Sequence, residues 1–203
     1  MINIDLLKTS IKLSKTNSKD YKEYSIVVPV VLLNNELHLL YEVRSENLRS
    51  QPGEICFPGG KIEKNELKLD AGLRELYEEI GIAKEDVEII GEIQKIITPF
   101  NIIINCYIGF VKDFSIDNLV LNKDEVKEVF LASLDELLKI KPKQYTLKSS
   151  FDLSDEFPYE LISNGKEYNW RQGEYAVVFY DYKGRNIWGI TARITKNLLE
   201  ILK

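Results

Sequence analysis

The sequence predicts an α/β domain in which helices pack on a mixed sheet. Segments rich in β-branched residues interleave with segments of helical periodicity along the chain, and this alternation favours layered α/β architectures. The 203 residues, 44% of them apolar, suffice for one hydrophobic core but are few for two. Neither a repeat nor a linker-like tract interrupts the chain. We therefore expect one domain over residues 1–203.

Composition narrows the range of function classes. The net charge of −5 argues against bulk nucleic-acid binding, which usually requires a basic domain. No stretch approaches the roughly 18 apolar residues of a membrane span, and the first residues lack the basic and apolar regions of a signal peptide. The two cysteines, Cys56 and Cys106, are too few for a disulfide framework and fit a reducing compartment. We expect a cytoplasmic protein without membrane or nucleic-acid partners.

The first third of the chain predicts a hairpin followed by a long loop. Residues 5–15 are compatible with a short amphipathic helix or an extended arm. Residues 24–33 are rich in β-branched residues and predict a strand, Asn34 and Asn35 predict a turn, and residues 36–44 predict the returning strand. Residues 45–60 contain two prolines and three glycines and predict a loop long enough to be functional.

A helix is predicted over residues 67–80. Its apolar positions, Leu69, Leu73, Leu76 and Ile80, follow helical spacing. Gly81 then supplies a common C-terminal stop.

The remaining elements continue the alternation. Strands are predicted over 87–97, 102–111, 126–131 and 175–182, and helices over 133–139 and 190–202, with a turn at Lys183 and Gly184. Residues 141–172 are polar, aromatic and irregular and support no prediction.

The central helix carries the residues of chemical interest. Glu75, Glu78 and Glu79 are spaced i, i+3 and i+4, which predicts three carboxylates on one helical face. Such like charges disfavour the helix slightly unless a cation binds them. Oxygen ligands without histidine or cysteine select Mg²⁺ or Mn²⁺. A pair of glutamates on a helix is, however, most often only a solvated face.

Residues around the helix extend this hypothesis. The glycine turn that precedes it lets the backbone approach a ligand closely, so the carbonyl of Gly60 is a candidate metal ligand. Arg74 is expected to pair with a carboxylate, and Glu66 is the natural candidate. The single histidine, His38, lies in an apolar run and is interpreted as a strand residue.

The joint spacing of these residues resembles the signature of the Nudix hydrolase family. The matching positions are Gly60, Glu66, Arg74, Glu75, Leu76, Glu78, Glu79, Gly81 and Ile82, and no fixed position of the signature departs. The resemblance implies an α/β/α sandwich and hydrolysis of a nucleoside diphosphate linked to another group. It also implies that Glu75, Glu78 and Glu79 bind metal, while Glu66 and Arg74 orient the helix that carries them.

Attack on a diphosphate requires charge neutralisation and an activated water, both of which a bound metal supplies. The reaction also requires a base to accept the proton of that water. Glu79 is one candidate. Glu125 and Glu128, in an acidic segment outside the signature, are two others, although that segment is equally compatible with an exposed charge cluster.

A second motif narrows the substrate. Arg44, Ser45, Arg49, Gly53 and Phe57 resemble the extra motif of the coenzyme A diphosphatase branch of the Nudix family, and residues 187–193 resemble its C-terminal segment. That motif usually opens with Leu-Leu-Thr, but residues 40–43 are Leu-Tyr-Glu-Val. The resemblance implies that these residues bind coenzyme A, giving 3′,5′-ADP and 4′-phosphopantetheine, since arginine pairs well with phosphate oxygens.

Two alternatives remain open from sequence. The Nudix signature also serves enzymes acting on ADP-ribose, dinucleotide polyphosphates or nucleoside triphosphates, and the fold can carry a non-catalytic nucleotide-binding domain. A homodimer is compatible with the apolar face of the last helix, which core packing explains equally well.

Overall fold

A computed structural model of the chain describes residues 21–150 and 152–203. The helix or arm predicted for residues 5–15 lies outside the described residues. Every other predicted element has a counterpart in the structure, and four strands of two to seven residues were not predicted.

The N-terminal hairpin has the predicted form. Strand β1 (Lys22–Leu33) pairs antiparallel with β2 (Glu36–Arg44). Between them, Asn34 and Asn35 have positive φ values of 51° and 63°, which is the backbone of the tight turn that suits the twist of a hairpin. His38 lies within β2, as predicted.

The predicted loop over residues 45–60 is shorter than expected, because its end joins the sheet. Strand β3 (Ile55–Cys56) pairs with β2, and β4 (Gly59–Lys61) pairs with β1. Helix α1 (Lys68–Ile80) follows. Gly81 ends it with a φ of 78°, and its N–H bonds to the carbonyl of Tyr77.

Strands β5 (Val87–Ile97), β6 (Ile102–Val111) and β7 (Val126–Ser133) complete a seven-stranded sheet. Strand β6 runs parallel to β1, whereas β5 pairs antiparallel with β6 and β7 with β2. The sheet is therefore mixed, as predicted. Helix α2 (Leu134–Lys139) begins after Ser133, whose hydroxyl accepts a hydrogen bond from the N–H of Glu136.

The C-terminal part of the chain forms a second, three-stranded sheet that the sequence did not predict. Strand β9 (Gly173–Tyr182) lies between β8 (Lys143–Ser149) and β10 (Arg185–Trp188). Helix α3 (Gly189–Ile201) follows directly. Strand β8 is exposed at every residue, and its sequence offers only Tyr145 and Leu147 as alternating apolar positions, which is too short a pattern to predict a half-buried strand.

Two hydrophobic clusters lie on opposite faces of the large sheet. On one face, Leu76 and Ile80 of α1 pack with Val27 and Leu40. The cluster on the other face joins the large sheet, the small sheet and α3. Helices therefore cover both faces of the sheet, which confirms the α/β/α arrangement. In residues 21–150 and 152–203, no helix combines the length and the apolarity needed to span a membrane.

Candidate active site

Helix α1 is fixed by its buried side, which holds one of the three predicted carboxylates against the sheet. Leu76 and Ile80 are fully buried, and Glu79 of the same helix is only 3% exposed. The side chain of Glu78, by contrast, is 52% exposed. The three glutamates therefore do not share one environment, although the helical spacing predicted a common face.

Arg74 and Glu66 form the contact that the sequence predicted. The Nε of Arg74 donates to Oε1 of Glu66 at 2.8 Å, and its Nη2 donates to Oε2 at 3.2 Å. Glu66 also accepts from the N–H of Glu63 at 2.8 Å. These bonds lower the pKa of Glu66 and tie the loop before α1 to the middle of the helix.

The remaining guanidinium nitrogen of Arg74 bridges two predicted metal ligands. Its Nη1 donates to Glu75 at 2.8 Å and to Glu78 at 2.9 Å. In the described part of the chain, no three acidic, histidine or cysteine side chains converge into a ready-made cation site. Cation binding by Glu75 and Glu78 therefore requires these carboxylates to turn away from Arg74.

Glu79 is held by the glycine turn. Its Oε2 accepts a hydrogen bond from the N–H of Gly59 at 2.9 Å. Burial, followed by the charge of Glu42, raises the pKa of Glu79 to about 9. Gly60 lies beside Glu75 so closely that a side chain at position 60 would meet that carboxylate, and one of the two would have to shift.

A cavity of about 480 Å³ opens beside these carboxylates. Its lining includes the charged residues Arg44, Glu75, Glu79 and Glu125. The lining also includes a group of apolar and aromatic residues from the starts of β1, β6 and α3, namely Tyr24, Ile26, Ile102, Ile104 and Ile190. A cleft that joins charged and apolar residues is typical of a site for a ligand with both characters.

The predicted substrate-binding residues divide into two groups. Arg44 and Phe57 line the cavity, although the ring of Phe57 stacks on Tyr41 at 4.5 Å and belongs to the core. Ser45, Arg49 and Gly53 are not among the lining residues. Ser45 is buried, with its hydroxyl accepting from the N–H of Asn47 at 3.4 Å, and Arg49 is exposed.

The two candidate bases outside the helix, Glu125 and Glu128, lie in different places. Glu125 lines the cavity, and its charge acts on Glu75 and Glu79. Glu128 instead accepts a hydrogen bond from Nη1 of Arg185 at 2.7 Å. Of these two, only Glu125 therefore lies where a proton-accepting group is needed.

Sequence reasoning missed several residues at the site. Cys56, Ile190 and Thr191 line the cavity, and Glu42 lies buried behind Cys56. A charged residue inside a largely apolar strand was the available signal for Glu42. The resemblance of residues 187–193 to the coenzyme A branch pointed to Ile190 and Thr191, but their place beside the cavity depends on tertiary packing.

A second, more open groove of about 600 Å³ lies along the outer side of α1. Its lining includes Arg74, Leu73 and Tyr77 but neither Glu75 nor Glu79. It is larger, yet it lacks the buried carboxylates, so the smaller cavity is the better candidate for the active site.

Comparison with known proteins identifies the family of this chain. Residues 23–152, well over half of the chain, match the NUDIX domain. The chain belongs to the Nudix family. It is 34% identical over 190 residues to Nudix hydrolase 3 of Caenorhabditis elegans, a match covering 88% of this chain and 72% of that protein. Both the predicted family and the predicted class of enzyme are confirmed.

A further relative bears on the branch of the family. The mitochondrial coenzyme A diphosphatase NUDT8 of Mus musculus is 30% identical over 180 residues, covering 88% of this chain and 77% of that protein. The resemblance to the coenzyme A diphosphatase branch is thereby confirmed. Among solved structures, a MutT/nudix family protein from Enterococcus faecalis matches this Nudix chain with a TM-score of 0.53 at 15% identity, covering 100% of this chain and 70% of the other. At that identity the match concerns the fold alone.

Proposed function

We propose that this Nudix hydrolase cleaves the diphosphate bond of coenzyme A or a derivative, giving 3′,5′-ADP and 4′-phosphopantetheine, with Mg²⁺ or Mn²⁺ bound at α1. The observation that carries the proposal is the cavity that Glu75, Glu79 and Arg44 line together with a group of apolar residues. Coenzyme A has anionic phosphates and a long, less polar arm, so it matches both groups of residues.

The residues at the cavity suit a hard divalent cation. Their donors are carboxylate oxygens, together with the backbone of Gly60, and hard cations prefer oxygen. One buried carboxylate oxygen nearby, Oε2 of Glu42, has no hydrogen-bond partner. A bound divalent cation would supply charge neutralisation and a water of lowered pKa.

The protein residues perform the remaining tasks. Arg44 lines the cavity, and we assign its guanidinium the task of pairing with a phosphate oxygen, since arginine does this well. The bidentate contact between Arg74 and Glu66 ties the loop before α1 to the middle of that helix. We assign proton acceptance to Glu125 or Glu79, since both line the cavity and Glu128 does not.

The testing experiment is a substrate panel. The purified protein is incubated with Mg²⁺ or Mn²⁺ and with coenzyme A, ADP-ribose, NADH, diadenosine polyphosphates or nucleoside triphosphates, and the products are separated by chromatography. We expect coenzyme A to give the highest kcat/KM and to yield 3′,5′-ADP. A higher value for another diphosphate would leave the Nudix chemistry intact but refute the coenzyme A assignment. A lack of turnover with every substrate would favour a nucleotide-binding domain.

The biological context stays a prediction. The cytoplasmic location rests on the content of two free cysteines, whereas the relative NUDT8 is named as mitochondrial. We also propose that the chain forms one domain, since the hydrophobic cluster on the α3 face unites both sheets. A homodimer remains to be tested by measuring the mass in solution.

A further inference from the structure

The strand β2 carries an unusual residue next to the candidate metal site. Glu42 is only 1% exposed. Its Oε1 accepts a hydrogen bond from the thiol of Cys56 at 3.0 Å, while its Oε2 is buried and has no partner. A buried carboxylate oxygen without a hydrogen bond is costly, so such a group usually has a ligand or a functional role.

The alternation of β2 directs Glu42 toward α1. Side chains two residues apart point to the same face of a sheet. Leu40 packs in the cluster that contains Leu76 and Ile80 of α1, whereas Tyr41 packs in the opposite cluster and bonds to Thr195 of α3. Glu42 therefore lies on the α1 side of the sheet, on which Glu75 and Glu79 also lie.

The electrostatic surroundings of Glu42 are negative. Its charge interacts with those of Glu75, Glu79 and Glu125, and the nearby positive charge is that of Arg44. Several buried carboxylates with too few cations destabilise a fold, because each has lost its hydration. A divalent cation at this point would offset the repulsion and give the free oxygen a partner.

We propose that Glu42 supplies an additional carboxylate to the divalent-cation site, through its free Oε2, from a strand outside the Nudix signature. The inference rests on the proposed metal-dependent function of the same cavity. Glu42 lies on β2, whereas the residues of the family signature lie on α1 and on the turn before it. Cys56 acts as the positioning residue, because its thiol holds Oε1 and leaves Oε2 for the cation.

The test is a titration of Mn²⁺ into the full-length protein without nucleotide, followed by calorimetry. Glu42→Gln keeps the size of the side chain and removes the charge. We expect it to weaken Mn²⁺ binding by at least about 10-fold, since even loss of a group that only supports a metal ligand costs about 10- to 100-fold. The matched control is Glu88→Gln, which makes the same change at an exposed position of β5 and should bind Mn²⁺ like the parent protein.

Thermal denaturation separates this role from a structural one. Metal-free Glu42→Gln should be at least as stable as the parent, since it loses charge repulsion, but 1 mM Mn²⁺ should raise its melting temperature less. A carboxylate that served only the hydrogen bond of Cys56 would make Glu42→Gln and Cys56→Ala both less stable, with unchanged Mn²⁺ affinity, and this result would overturn the proposal.

Two further outcomes remain decisive. If Glu42→Gln does not fold, Glu42→Asp is measured instead. It keeps the charge, but its side chain is shorter by one methylene group, so the carboxylate lies farther from the cation. Weaker Mn²⁺ binding by Glu42→Asp supports the inference, and an affinity equal to that of the parent protein overturns it.

If the parent protein binds no Mn²⁺, both the proposed metal-dependent function and the role of Glu42 are refuted. If the parent protein and Glu42→Gln bind Mn²⁺ equally well, only the role of Glu42 is refuted.

Discussion

At the scale of single residues, Glu79 is the most buried glutamate of the signature, and it is hydrogen-bonded to the glycine turn. Its carboxylate accepts from the N–H of Gly59 and lines the cavity. Glu79→Gln keeps a hydrogen-bonding side chain of the same size but removes the charge needed to bind a cation or accept a proton. We expect kcat to fall by roughly 10²- to 10⁴-fold, the range for loss of a general base.

The variant Glu79→Gln is measured in a steady-state assay with the best substrate of the panel, and circular dichroism checks the fold. Glu88→Gln again serves as the control with the same change at an exposed strand position. Full activity in folded Glu79→Gln would refute the catalytic assignment.

The two arginines of the predicted substrate motif also differ at this scale. Arg44 lines the cavity with an unpartnered Nε, whereas Arg49 is exposed and is not a lining residue. We therefore expect Arg44→Ala to raise KM for coenzyme A about 10-fold or more, as loss of a charge-assisted hydrogen bond costs about 1.5–3 kcal/mol, and to raise KM for ADP-ribose less.

Arg49→Ala is the matched control for Arg44→Ala, and the sequence motif alone would have assigned both arginines the same role. Initial rates over a range of both substrates give the comparison. Equal increases of KM for coenzyme A and ADP-ribose in Arg44→Ala would show that Arg44 does not contribute to specificity for coenzyme A.

The residue scale also shows why part of the site was predictable. The spacing of the signature places Glu66 opposite Arg74 because a loop of fixed length leads into a helix of fixed geometry. Long-range neighbours such as Glu42 and Ile190 come from other elements, and their positions follow only from how the sheet and α3 pack.

At the scale of elements, the start of α3 builds one wall of the candidate active site. The hydroxyl of Thr191 donates to the carbonyl of Ile55 in β3 at 3.0 Å, which fixes the helix next to the glycine turn. Ile190 thereby faces the cavity. The resemblance of residues 187–193 to the coenzyme A branch thus corresponds to a wall of the pocket.

Ile190→Ala tests this wall. The substitution removes apolar contact at a partly buried position, which we estimate at about 1 kcal/mol, so kcat/KM for coenzyme A should fall about fivefold. Ile201→Ala, in the same helix but 65% exposed, is the matched control and should leave kcat/KM unchanged. Unaltered kcat/KM in Ile190→Ala would mean that the substrate does not reach α3.

Elements differed in how well the sequence predicted them. Strands β5 and β6 were predicted with their observed bounds, since both are long and end at clear turn residues. Strand β10 is only four residues long and follows a turn directly, so the sequence offered too short a pattern to recognise. The two strands β3 and β4 owe their conformation to pairing with β2 and β1, not to local preference.

At the scale of the whole molecule, the layered architecture followed from the alternation of elements, but the second sheet did not. The cluster on the α3 face includes Val28 of the large sheet, Tyr180 of the small one and Ile194 of α3. A common core of this kind couples the two sheets energetically, while the sequence of either sheet contains no sign of the other.

The buried carboxylates should make the stability of the entire molecule depend on pH and on cations. Burial, the largest cause for each, raises the pKa of Glu42 to about 7 and that of Glu79 to about 9, from an ordinary value of 4.5. Both groups bind protons more tightly in the folded chain than in the unfolded one, so their contribution to stability declines as pH rises above 4.5 toward 9. Carboxyls with lowered pKa values, such as Glu66 and Glu136, instead stabilise the folded chain more as pH rises. Their effect is complete at pH values below this window.

We therefore expect the melting temperature of the metal-free protein to fall between pH 6 and pH 9, and Mg²⁺ to reduce this fall, because a bound cation stabilises the ionised carboxylates and the folded state that binds it. Differential scanning calorimetry with EDTA or with Mg²⁺ provides the measurement. Glu79→Gln is the informative variant, since a glutamine cannot titrate, and its metal-free melting temperature should vary less with pH than that of the parent. A melting temperature that is constant or rises across this window in the metal-free parent protein would contradict the burial of ionisable carboxyls at α1, and with it the electrostatic basis for a cation site there.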